Sequence, residues 1–262
     1  MKIIEGKFNQ AKIFTEVLEE TAMGQIKTLC DQEYVKNSKI RIMPDVHAGA
    51  GCTIGTTMTI HDCIVPNLVG VDIGCGMETI KITNSHLELQ KLDKLIYEKI
   101  PSGFNIRERA HQYNDEIDLN ELRCKTEGKI NLTRAVKSLG TLGGGNHFIE
   151  VDKDEEGNLY IVIHSGSRHL GLEVAGHYQE MAYKSLNGNS EEDIQRLIKE
   201  YRVAGRDKEI QTAIAVINKQ IRTEIPKALA YASGQLMEDY IHDMKIVQRF
   251  ALLNRKAMMD EN

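Results

Sequence analysis

The chain has 262 residues, enough for one large domain or two small ones with a sizeable core. Apolar residues make up 41% and charged residues 27%, the balance of a soluble globular protein, while the absence of tryptophan and an aromatic share of 5% argue against a broad platform for stacking bases. A net charge of −5 argues against a general nucleic-acid coat and leaves room for a local basic groove on an acidic body. The five cysteines, Cys30, Cys52, Cys63, Cys75 and Cys124, are odd in number and contain no CxxC pair. A disulfide framework or a structural zinc ribbon therefore reads poorly, and a reducing compartment fits better. No stretch has signal-peptide organisation or the length of a membrane span, so the expected location is cytoplasmic, with no membrane partner.

In chain order, a short strand is predicted at Lys2 to Ile4. Helical segments follow to about residue 35, with Ala22, Ile26, Leu29 and Cys30 on one face. Short apolar runs then alternate with glycines and predict strands at Ile40 to Met43, Thr53 to Ile60, Ile64 to Val71 and Glu78 to Ile82. Residues 86 to 125 are polar and read as helix with loops. A second glycine-rich region, Gly140 to Gly145, leads into an apolar run at Phe148 to Val151. A hairpin turn at Asp152 to Asn158 and a half-buried strand at Leu159 to His164 come next. After Gly171 the pattern is helical to the end. From Glu224 to Lys245, the residues Ile225, Leu229, Ala232, Leu236 and Tyr240 recur at helical spacing.

Four constellations carry chemistry. Asp45 and His47, in MPDVHAGAG, can reach one metal or one phosphate but read best alone as a solvated turn with a histidine cap. Asp72 and Cys75, in VGVDIGCGM, bracket a glycine-rich turn after a strand, and carboxylate with thiolate is a metal-binding pair. A lone cysteine is more often a buried structural one. The run Gly143-Gly144-Gly145 before Asn146 and His147 exposes backbone N–H groups as an anion cradle can. On the strand after it, Phe148 and Glu150 share one face and His147 and Ile149 the other. Glu150 can accept two hydrogen bonds from a guanine edge. Finally, His164 ends a strand, and Ser165, Ser167 and Arg168 follow in a turn that opens a helix. Arginine is a natural fork for phosphate oxygens. Together Asp72, Cys75, His147 and His164, each at a strand end, look like a binuclear divalent-metal site with phosphate binders beside it. Mixed O, S and N donors suit a catalytic manganese or zinc ion, and spacing does not choose between them.

Four blocks in one order, MPDVHAGAGCTIG (43 to 55), VGVDIGCGM (69 to 77), LGGGNHFIEV (142 to 151) and HSGSRHLG (164 to 171), closely resemble the RtcB RNA ligases. The resemblance implies an α+β fold with a mixed or antiparallel sheet core flanked by helices and a mainly helical C-terminal part. Residues 1 to 262 would form a single catalytic domain, incomplete at its C-terminus. It implies an enzyme that joins RNA ending in a 2′,3′-cyclic phosphate or 3′-phosphate to RNA with a 5′-hydroxyl, in tRNA splicing and RNA repair, using GTP and two Mn²⁺ ions per site. By match to the family's motifs, Asp72, Cys75 and His147 hold one metal and Cys75 and His164 the second. Asn146, His147, Phe148, Ile149 and Glu150 contact the guanine nucleotide, and Arg168 is a catalytic arginine on phosphate. The family's guanylylated histidine lies in the C-terminal third. His61, His86, His111, His169, His177 and His242 match no such motif, so the chain is expected to be the N-terminal two-thirds of such a ligase without its nucleophile. The residues by themselves leave a ligase and a metal-dependent phosphoesterase nearly tied, with a catalytically incomplete metal- or nucleotide-binding remnant as a third reading.

Overall fold

The computed structural model describes residues 2–83, 87–127, 130–187, 191–220 and 223–261; His86 and Asn262 lie outside them. The first elements are β1 (Lys2–Glu5), β2 (Gln10–Ile13), α1 (Glu20–Cys30), β3 (Ile40–Ala48), β4 (Thr53–Met58), β5 (Cys63–Ile64) and α2 (Pro66–Val69). Next come β6 (Gly76–Ile82), α3 (Leu89–Lys99), α4 (Leu132–Ser138), β7 (Phe148–Lys153) and β8 (Leu159–Ser165). The last are α5 (Arg168–Leu186), α6 (Glu191–Val203), α7 (Ile210–Gln220), β9 (Ala232–Ser233) and α8 (Gly234–Met259). This is the α+β arrangement expected from the sequence. Among the described residues no helix is long and apolar enough to cross a membrane.

The chain divides into two compact units, Met1–Val69 with Tyr178–Glu238, and Gly70–His177 with Asp239–Asn262. In the first, β1 to β4 form one sheet with an antiparallel, a parallel and an antiparallel pairing in turn. Alternation places Ile40 and Ile42 on its inner face with Ala11 and Ile13, against Ile26, Leu29 and Cys30 of α1. The ladder between β3 and β4 shifts register between Ile42 and His47. Pro44 falls in that interval, and a residue without an N–H is tolerated where the ladder is broken.

The second unit is built on a three-stranded antiparallel sheet in the order β6-β8-β7. One face carries Ile149, Val151, Ile161, Ile163 and Ile82, which pack with Leu92, Ile100, Met258 and Met259. The other face aligns Met77, His164 and Phe148 across all three strands. The β7–β8 hairpin closes where Asp154 accepts the Asn158 backbone N–H at 2.7 Å, with Gly157 at φ +89°.

Four segments differ from the sequence reading. Ile64 to Val71 is a strand only at Cys63–Ile64. Pro66 then opens a one-turn helix, as proline does where the first helical N–H has no partner anyway. Glu224 to Lys245 is helical only from Gly234. Pro226 precedes a single tight turn, and Ala232 and Ile64 pair as β9 with β5, so the apolar spacing there reflects burial in an irregular segment. The segment from Met43 to Ala48 is strand, not a solvated turn. The strand β2 was not foreseen, because four residues with one strong apolar pair carry too little alternation.

Candidate metal centre and anion cleft

Asp72 and Cys75 sit in the turn that feeds β6, closed by Cys75 N–H on the Asp72 carbonyl and by Gly74 at φ +81°. His147 immediately precedes β7, and His164 stands one residue before the end of central β8. Because Met77 and Phe148 flank His164 in register, the starts of β6 and β7 and the end of β8 meet at one edge of the sheet. Donor atoms of Cys75, His147 and His164 lie within 4.8 Å of one another. Asp72 joins them, with Oδ2 2.8 Å from His147 Nε2, and Cys75 Sγ is 3.5 Å from the same nitrogen.

The hydrogen bond on the far side of His147 decides what its near side offers. Nδ1 lies 2.9 Å from the Leu142 carbonyl, which only accepts, so Nδ1 carries a proton. In the neutral ring Nε2 is then a bare lone pair facing a carboxylate oxygen and a sulfur. Lone pairs facing one another need a cation among them. The other Asp72 oxygen, Oδ1, is buried with no hydrogen-bond partner. Burial raises the Asp72 carboxyl, but with no metal ion between them protons donated by His147 and Cys75 outweigh it and hold the group below its ordinary range. Burial first, and then the Asp72 carboxylate, push the Cys75 thiol up to about 12. A divalent cation would reverse that preference and draw the thiolate form. The gap is kept open by Gly166, where a Cβ would run into Asp72 Oδ1 and Cys75 Sγ. The orphan oxygen, the oriented imidazole and the mixed O, S and N donor set all fit a catalytic divalent ion.

Beside these donors lies a cleft of about 430 Å³ lined by Asp72, His147, Gly144, Phe104, Arg134 and Arg168, among others. Arg168 opens α5 and has φ +61°, which no other non-glycine shows among the described residues. Its Nε donates to Thr141 Oγ1 at 2.9 Å and its Nη2 to the Gly103 carbonyl at 2.9 Å. A methyl on Gly143 would overlap its guanidinium, so the glycine run makes room for the fork. A left-handed arginine stores backbone strain of about 1 kcal/mol or more, as functional positions often do. Arg168→Gly is accordingly expected to be more stable than Arg168→Ala by about 1 kcal/mol in urea unfolding; equal midpoints would show that the turn is unstrained.

Two residues that the sequence reading missed hold this edge together from α8. Asn254, fully buried, accepts the N–H groups of Gly140 and Thr141 at 2.7 and 3.0 Å and donates to Thr141 O, Ser165 Oγ and Gly166 O. Arg255 donates Nη1 to the carbonyls of Gly74 and Ser165 at 2.8 and 2.9 Å. The available signal was an Asn-Arg-Lys run inside the otherwise apolar stretch from Phe250 to Met259. Arg134 was also not singled out, being an isolated arginine on a short helix.

The structure places the remaining candidates as follows. Phe148 stacks on His164 with ring centroids 5.5 Å apart, and Glu150 lies exposed two residues further along the same face. Asn146 is exposed at the end of the glycine run. The Ile149 side chain turns into the core, so only its backbone, on an edge strand, faces a ligand. Asp45 and His47 belong to the first unit, where His47 Nδ1 lies 2.9 Å from the Asp45 carbonyl of its own strand.

The family model described as tRNA-splicing ligase RtcB matches residues 25–262. The RNA-splicing ligase RtcB of Escherichia coli K12 is 31% identical over 241 residues, covering 84% of this chain and 52% of the relative. The tRNA-splicing ligase RtcB of Archaeoglobus fulgidus is 27% identical, covering 97% of this chain and 57% of the relative. That of Methanococcus maripaludis is 26% identical, covering 92% and 58%. The chain thus spans about half the length of the curated relatives it matches. With the family model extending over nearly all of the sequence and through every block that builds the metal edge, the chain belongs to the RtcB family.

Proposed function

We propose that this chain forms the metal- and phosphate-binding part of a GTP- and Mn²⁺-dependent ligase that joins RNA 2′,3′-cyclic phosphate or 3′-phosphate ends to 5′-hydroxyl ends. The observation that supports it most is the cleft in which two donors of the metal edge, Asp72 and His147, lie together with Arg134 and Arg168. Asp72, Cys75 and His147 hold one ion, and Cys75 with His164 holds the second. Bound manganese supplies Lewis acidity to the reacting phosphates. Arg168, anchored on Thr141 and Gly103, faces the phosphate and offsets its growing charge, with Arg134 beside it. The exposed backbone of Gly144 to Asn146 and the Glu150 carboxylate receive the guanine nucleotide. The guanylyl group is carried by a histidine from the part of the family's length that this chain does not span. All five cysteines are free, which suits a thiolate ligand working in the reducing cytoplasm.

The test uses a chain extended to the family's full length. With Mn²⁺ and GTP it is expected to take up GMP covalently and to seal a 3′-phosphate RNA to a 5′-hydroxyl RNA. Arg168→Ala should slow sealing by roughly 10²-fold or more. An extended protein that binds both cofactors yet never joins the ends overturns the proposal. GTP-independent hydrolysis of a cyclic-phosphate end would replace it with a phosphoesterase.

A further inference from the structure

We infer that Phe104 is a stacking platform for one unpaired base of an RNA strand whose terminal phosphate enters the arginine-lined cleft. The inference rests on the ligase reading above and assigns a subsite next to it. Phe104 is 93% exposed, the most exposed large apolar side chain among the described residues, and it lines the cleft that holds Arg134, Arg168 and the donors Asp72 and His147. A single exposed ring is ordinary by itself, so what points to a ligand is its position, in the lining of a cleft that also holds two arginines.

The backbone under the ring is fixed. Gly103, at φ +61°, donates its N–H to the Gly143 carbonyl at 2.7 Å, and Ser102 bridges to Gly143 in parallel. Asn105 N–H closes the turn on Ser102 O at 3.1 Å. Arg168 Nη2 then donates to Gly103 O at 2.9 Å, and Arg134 Nη2 to Phe104 O at 3.1 Å. Both cleft arginines therefore brace the residue that carries the ring. The phosphate binders are thus hydrogen-bonded to the backbone that carries the ring, which keeps the ring close to a strand held by its phosphate.

The ligand chemistry follows from this pairing. A cationic fork beside an apolar π-face suits a nucleotide with its base unstacked from a duplex, because the ring needs an open base face. Every base offers such a face, so the subsite tolerates sequence and discriminates against paired ends. The low aromatic content of the chain agrees with a single ring holding a single base.

The absence of tryptophan makes the test direct, since Phe104→Trp introduces the only indole. With Mn²⁺ present, a short single-stranded RNA bearing a 3′-phosphate is expected to quench that fluorescence. Phe104→Ala and Phe104→Leu should each bind the same RNA roughly tenfold more weakly than the unaltered chain. Replacing the base nearest the phosphate by an abasic sugar should cost the unaltered chain a similar factor and cost Phe104→Ala nothing further. The position is exposed, so these variants fold. Unchanged affinity of Phe104→Ala, or a full abasic penalty that persists in it, overturns the platform alone, provided that Arg134→Ala and Arg168→Ala still weaken binding. No RNA binding by the unaltered chain overturns the platform together with the ligase reading of the cleft.

Discussion

Cys75→Ala is expected to lower the affinity of the chain for Mn²⁺ or Co²⁺ by on the order of 100-fold or more. The sulfur stands between the two imidazoles, 3.5 Å from His147 Nε2 and in one 4.8 Å cluster with a nitrogen of His164. Its removal therefore strips a donor from both proposed ions at once. Asp72 is itself a proposed donor to the first ion, so its carboxylate adds no new ligand in place of the sulfur. Cobalt makes the measurement specific. A thiolate ligand gives a sulfur-to-metal charge-transfer band, which should vanish in both Cys75→Ala and Cys75→Ser, with the serine hydroxyl left as a weaker oxygen donor. Asp72→Asn should keep the band and lose affinity, since the sulfur remains while one charge is gone. An unchanged band and affinity in Cys75→Ala would remove the sulfur from the site.

Asn254→Ala should be the most damaging change away from the donors, at about 3 kcal/mol of stability. The side chain is fully buried and serves two backbone N–H donors and three acceptors on two loops. Without it the Gly140 and Thr141 N–H groups are left inside the protein with no water to replace the lost partner. The damage also reaches the metal edge. Leu142 follows directly on Thr141, and its carbonyl fixes the His147 ring, so metal affinity should fall with stability. Asn254→Asp keeps the acceptor for both N–H groups and loses the donors, and should lie between the two. Urea unfolding with and without metal checks both effects. A variant as stable as the unaltered chain would show that the loops hold their shape unaided.

The three site strands and the donors at their ends were legible because they combine glycine punctuation with strong β-branched alternation, as in Leu159 to Ser165. The helix from Glu20 to Cys30 was legible from its apolar spacing, and all four residues assigned to its inner face are buried. The segment from Glu224 to Ser233 misled, since spaced apolar residues also occur in irregular chain packed flat on a core, and Pro226 outweighed the period. At the site, side chains announced themselves where their chemistry was out of place on a turn: Asp72, Cys75 and Arg168. Asn254 and Arg255 gave a signal that was easily passed over, because a polar residue in a long helix looks solvent-facing until the packing shows which face is buried. Phe104 was silent for the opposite reason, as an apolar residue in a loop gives no sign of whether it will be covered.

The donors at the sheet edge come from Asp72 and Cys75, from His147 and from His164, stretches far apart along the chain. An ion held there is a cross-link that closes a long loop, and its binding free energy adds to the folding free energy of this unit. At a free metal concentration a hundredfold above the dissociation constant, that gain is about 2.7 kcal/mol, a sizeable share of a typical domain's margin. Metal supply would then govern how long the protein survives proteolysis as well as how fast it works, so starvation for the ion would appear first as a loss of the protein itself.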